Sequence, residues 1–147
     1  MSLPPEKRSR VYFDSGFYCA ESVLLAIAEE AGIESDLLRK IATGFCGGVS
    51  HTDGVCGAVS GGILAINLLT GRSSPDESVA RNYRLVNRFV QGFRETFATL
   101  QCSELIGCDL SDPSGQARFR RENRIEQCKD IVETTTRLVR EILKGTD

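Results

Sequence analysis

Gly54-Val55-Cys56-Gly57-Ala58-Val59-Ser60-Gly61-Gly62-Ile63-Leu64-Ala65-Ile66-Asn67-Leu68-Leu69-Thr70-Gly71 runs without a single charge. Its length is near the lower end of the roughly 17–25 residues that a membrane-spanning helix needs. Ser60, Asn67, Thr70 and the glycines argue against lipid, and no other stretch of the chain resembles a span. The segment therefore reads as a buried central helix from about Val55 to Leu69, closed by Gly71. Gly57 and Gly61 are one helical step apart, as are Ala58 and Gly62, which gives this helix two rows of small residues. Such rows admit a neighbouring helix, a cofactor or a reactive sulfur at close range.

The surrounding chain is also helical, because no segment alternates as a half-buried strand should. A first helix is expected over Pro5 to Asp14. A second is expected over Phe17 to Ala31, with Ser15 as N-cap and Gly32 as C-terminal stop. A short third helix begins near Asp36 and ends before Gly44, and Gly44 to Gly54 reads as a loop. Beyond the central helix, Pro75 and Asp76 open a long helix with Val79, Tyr83, Val86, Val90, Phe93 and Phe97 as its apolar stripe. Gln101 to Gly107 supplies a turn or two, and Asp109 to Gly115 reads as a loop. Asn123 with Glu126 three residues later reads as a capping box. The last helix then carries Cys128, Ile131, Val132, Thr135, Leu138, Val139, Ile142 and Leu143 on one face, to the stop at Gly145. The expected fold is all-α: one domain over 1–147, a bundle of roughly six to eight helices.

Composition narrows the function. A formal charge of −2 argues against a nucleic-acid binder. A single histidine leaves no multi-histidine metal site and no conventional catalytic triad. Six cysteines are the anomaly. The N-terminal residues carry no signal-peptide pattern, so the chain is expected in the cytoplasm. There, cysteines point to metal binding or redox chemistry more than to a permanent disulfide framework.

On this helix map Cys19, Cys56, Cys102 and Cys128 all fall at or near helix N-termini, Cys56 in a first turn capped by Thr52 or Asp53. Unpaired N–H groups and the helix dipole stabilise a thiolate there, with pKa values down to roughly 3.5–7.5. Cys46, in the glycine-rich loop, and Cys108 are accessory candidates, and Cys102 with Cys108 could form a reversible pair. No C-x-x-C occurs, which removes the thioredoxin-type, c-type haem and paired-knuckle zinc signatures. His51 reads as an exposed loop residue, with ligand or thiol-activating base as its alternative role. Arg118, Arg120, Arg121 and Arg124 read as a solvated face.

Phe17-Tyr18-Cys19-Ala20-Glu21-Ser22-Val23-Leu24, Val55-Cys56-Gly57-Ala58-Val59-Ser60-Gly61, Cys102-Ser103-Glu104-Leu105-Ile106-Gly107 and Cys128, in that order, resemble the C-GCAxxG-C-C family of redox-active proteins. The resemblance implies a small all-helical domain with Cys19, Cys56, Cys102 and Cys128 as its four characteristic cysteines. Cys46 and His51 depart from the family pattern. The expected chemistry is thiol/disulfide exchange or a thiolate-ligated iron–sulfur cluster, with an unidentified redox partner and Cys56 as the most reactive thiol. Gly57 and Gly61 would give a cofactor close approach. The alternative is a zinc-binding or structural module, and c-type haem is not expected. Apolar faces on the long helices could support a homodimer.

Overall fold

The computed structural model describes residues 3–145. The ends of the expected 1–147 domain, residues 1–2 and 146–147, lie outside the described residues. The chain is helical throughout: α1 (Pro5–Asp14), α2 (Cys19–Glu30), α3 (Asp36–Ala42), α4 (Cys46–His51), α5 (Gly57–Thr70), α6 (Ala80–Phe97), α7 (Cys102–Ile106), α8 (Pro113–Arg121) and α9 (Ile125–Lys144). A single 3-10 turn, Thr43–Phe45, joins α3 to α4. Eight of these segments are right-handed; α4 is not, as described below.

The uncharged segment forms α5, which packs against α2, α6 and α9. It shares the central place with α2, which is the more enclosed of the two. Every α2 residue from Ala20 to Ala28 is buried, because α1, α3, α5 and α9 surround it. Small residues permit this crowding. A Cβ on Gly61 would lie 2.6 Å from the Ala20 carbonyl oxygen and 2.8 Å from its Cα. A Cβ on Gly62, on the neighbouring face, would run into the Phe89 ring of α6. Phe89, Phe93, Leu24, Ile66 and Leu85 are the largest side chains sealed in this core. Among the described residues no helix is long and apolar enough to cross a membrane.

Several local expectations need correction. Ser15 does not cap α2. Its hydroxyl donates back to the Tyr12 carbonyl at the end of α1, and Tyr18 takes the N-cap position. α6 begins at Ala80 rather than at Pro75–Asp76, which form a turn where the Asp76 amide donates to Ser74 Oγ. Of the expected stripe, Phe93 is buried and Val86, Val90 and Phe97 pack partly buried against the core; Leu85 and Phe89 complete the buried row, and Tyr83 is 66% exposed. Asp109 to Gly115 is not wholly loop. Asp112 accepts the Ser114 amide and Pro113 opens α8. Asn123 ends α8 in a left-handed conformation (φ 52°) instead of capping α9, whose N-cap is Arg124. The α9 face itself is as expected, with Thr136 added to its buried residues.

Candidate functional site

Cys19 is the first residue of α2 and is half-buried. Buried Cys46 approaches the same helix end. Its Sγ donates to Glu21 Oε1 at 3.7 Å and to the Ala42 carbonyl at 3.9 Å. Cys19 and Cys46 meet over Gly57. A Cβ built on Gly57 would collide with Cys19 Sγ, and would lie 2.9 Å from the Phe45 carbonyl oxygen and 3.1 Å from Cys46 Cα. The missing side chain of Gly57 is thus the space in which the two cysteines come together. That space is taken by Cys19 and Cys46, and the space over Gly61 by the α2 backbone.

Cys56 is the N-cap residue of α5, not a first-turn residue under a Thr52 or Asp53 cap. Those two side chains are used elsewhere. Thr52 Oγ1 donates to the Val49 carbonyl at 2.7 Å. Asp53 accepts the Ser103 amide at 3.0 Å and Gln101 Nε2 at 2.8 Å, so it caps α7 across the fold. The Cys56 amide donates to the Leu100 carbonyl at 2.7 Å and the Cys102 amide to the Gly54 carbonyl at 3.1 Å. This clamp brings the start of α7, and with it Cys102, against the start of α5. Cys128 lies in the fourth position of α9 and is half-buried, and Cys108 is buried just beyond α7.

The six thiols form one connected set. Cys46 senses Cys19; Cys56 senses Cys102 and Cys46; Cys128 senses Cys56, Cys102 and Cys108. Helix ends do not lower the Cys56, Cys102 and Cys128 pKa values as the sequence suggested. Cys46 is raised, first by the Cys19 thiol and then by burial, against the pull of the Glu21 and Ala20 amides. Burial pushes Cys56 up to about 11, although the Ala58 and Val59 amides pull it down. Burial, then the negative charge of Asp53, takes Cys102 up to about 11. Burial, then Cys56, takes Cys128 up to about 12. Desolvation opposes the charged form and here outweighs the helix dipole.

A pH dependence follows. These thiols ionise near 9.0 when unperturbed. The unfolded chain therefore loses their protons first as pH rises, and the folded state is disfavoured. Stability should be intact below pH 9 and fall from there to about 11 for Cys56 and Cys102, and to about 12 for Cys128. Urea midpoints measured from neutral to alkaline pH check this; a flat profile above pH 9 contradicts it.

The expected loop Gly44 to Gly54 is the least ordinary backbone in the chain. Gly47, Gly48, Val49, Ser50 and His51 all have positive φ, from 56° to 67°, so α4 is a left-handed turn. Such a conformation costs an L-residue roughly 1–2 kcal/mol, and a β-branched residue such as Val49 rarely adopts it. Specific contacts hold it. The Gly54 amide donates to the Gly48 carbonyl at 2.8 Å, and Ser50 Oγ donates to the Gly44 carbonyl at 2.8 Å. Cys102 seats on Gly48, where an added Cβ would lie 2.6 Å from Cys102 Cβ and 3.2 Å from its Sγ. His51 is exposed, with its ring folded over Gly47. Arg118 and Arg124 pair with Glu122.

The thiols are strung along helix ends rather than caged. Among the described residues no three His, Cys, Asp or Glu side chains are gathered so as to hold one metal ion. Sequence reasoning set Cys46 aside, yet it is the direct neighbour of Cys19. It also passed over Glu21, whose spacing from Tyr18 is that of a capping residue.

An all-helical bundle with linked thiols at its helix ends defines a cysteine-based class of protein. The chain matches the family described as "Putative redox-active protein (C_GCAxxG_C_C)" over residues 17–142, and it belongs to that family. No curated protein and no solved structure matches it.

Proposed function

We propose that this chain works as a single-domain cytoplasmic thiol–disulfide redox protein, with Cys19 and Cys46 as the pair that cycles. The observation that supports this most directly is their meeting over Gly57, with the Cys19 thiol as the largest influence on Cys46. A disulfide between them requires Cα atoms about 4.4–6.8 Å apart.

Half-exposed Cys19 is the thiol that meets a partner disulfide. Its thiolate attacks one partner sulfur, the partner S–S bond breaks, and one partner thiol leaves carrying the proton that Cys19 gave up. Cys46 then attacks Cys19 Sγ, the mixed disulfide breaks, and the second partner thiol takes the Cys46 proton. The chain loses two electrons and the partner disulfide gains them; in reverse, the same pair reduces. Cys56, Cys102 and Cys128, with Cys108, extend the thiol set. The influence of Cys56, Cys102 and Cys108 on Cys128 supports a second reading, a thiolate-ligated iron–sulfur cluster, for which the thiols would have to draw closer than they stand here.

Oxidation with excess oxidised glutathione, followed by digestion and mass mapping, separates these. The expected product is a Cys19–Cys46 peptide pair that disappears in Cys19→Ser and Cys46→Ser. A different cysteine pairing, or none, overturns the reading. Brown anaerobic protein containing iron and acid-labile sulfide supports the second one.

A further inference from the structure

We infer that Glu21 is a positioning residue that aims the Cys46 thiol at Cys19; this rests on the Cys19–Cys46 reading above. Glu21 is on α2, two residues after Cys19, and is only 9% exposed. A buried carboxylate is costly unless its oxygens are satisfied. Here its partners are the elements that build the thiol pair. Oε1 accepts the Tyr18 amide at 3.0 Å, which fixes the entry to α2 beside Cys19. Oε2 accepts Thr43 Oγ1 at 3.0 Å, which ties in the junction between α3 and the 3-10 turn. Cys46 Sγ is the third donor, at 3.7 Å.

Cys46 needs such a guide. It stands in extended backbone (φ −69°, ψ 154°) between a 3-10 turn and a left-handed turn. No regular helix on either side fixes where its side chain points. Its thiol direction is set by its acceptors, Glu21 Oε1 and, more distantly, the Ala42 carbonyl. Two of the three Glu21 bonds, to Tyr18 and Thr43, involve no reacting atom. They persist when the disulfide forms, so the anchor acts in both redox states, while the third bond directs the reduced thiol.

Glutamine is a suitable replacement. Its Oε1 can accept the Tyr18 amide, and its Nε2 can donate to Thr43 Oγ1. The Thr43 hydroxyl already has a second acceptor, the Arg39 carbonyl at 2.8 Å. Glu21→Gln therefore keeps the anchor and removes the charge, whereas Glu21→Ala removes both.

The measurement is the effective molarity of the Cys19–Cys46 disulfide in glutathione redox buffers, with circular dichroism to confirm folding. Glu21→Ala should lower it by about tenfold or more, and Glu21→Gln should stay within about threefold of the parent chain. Thr43→Val, at an exposed position, should lower it by about threefold or more with the fold intact, and carries the test if Glu21→Ala does not fold. An unchanged effective molarity in Glu21→Ala and Thr43→Val overturns the inference and leaves Glu21 as a helix cap alone. Glu21→Gln falling as far as Glu21→Ala also overturns it, since charge and not position would then be responsible. A parent chain that forms no Cys19–Cys46 disulfide overturns the underlying reading, and this inference with it.

Discussion

Gly57→Ala should separate Cys19 from Cys46 and cost about 2–3 kcal/mol of stability, within the range for overpacking a dense core. The new methyl would collide with Cys19 Sγ and crowd the Phe45 carbonyl and Cys46 Cα, at 2.9 and 3.1 Å. Two of these are backbone atoms, which cannot rotate away. α5 cannot retreat freely either, because the Cys56 amide is bonded to the Leu100 carbonyl at 2.7 Å. Disulfide yield and urea midpoint should therefore fall together. Cys19→Ala on the Gly57→Ala background should restore part of the stability by removing the sulfur, and a double-mutant cycle reads that coupling. Full stability and full Cys19–Cys46 cross-linking in Gly57→Ala would refute the arrangement over Gly57.

Gly61→Val should break the α2–α5 seam. All three nearest atoms belong to the Ala20 backbone, at 2.6, 2.8 and 3.1 Å. The first added carbon already forces α2 and α5 apart, and the two methyls of valine extend the clash. A loss of about 3 kcal/mol or more is expected. At roughly 2–4 °C per kcal/mol for a domain of this size, the melting temperature should drop by about 6–12 °C. Gly145→Ala is the control. Its nearest atoms are at 3.6 Å, and its φ of −68° suits any residue. That change should be close to neutral. Equal effects at positions 61 and 145 would mean that the α2–α5 seam is looser than described.

What was legible in the sequence was periodic or compositional. The apolar face of α9 and the uncharged run of α5 repeat one signal over many residues, so errors average out. The rows of small residues read only as room for close approach; the structure puts the Cys19 sulfur over Gly57 and the Ala20 backbone over Gly61. Caps were read less well, because one side chain has several acceptors and donors within reach. Ser15 turned back to α1, Asp53 crossed to α7, and Asn123 ended a helix instead of starting one. The Cys56, Cys102 and Cys128 pKa values ran opposite to expectation for a related reason. Proximity to a helix end can be read from local sequence, whereas the burial that outweighs it depends on the whole fold. Cys46 was hardest to place. Its approach to Cys19 depends on Gly57 and on a backbone that propensities disfavour.

The left-handed turn also bears on the order in which the molecule is built. Val49, Ser50 and His51 prefer another conformation locally, so the turn cannot nucleate alone. Besides its local bonds, the turn is held by Cys102 of α7 seated on Gly48; Asp53 and Ser103, which join the two regions, are 50 residues apart in the chain. Closing so long a loop is paid in entropy before any contact compensates. The α2–α5 seam can assemble without that closure. The amides of residues 47–51 should be the last to become protected and the first to exchange with solvent, which pulsed hydrogen exchange would show. On that order Cys46 should reach Cys19 late in folding, with the thiols of a newly made chain kept apart until its helices have found one another.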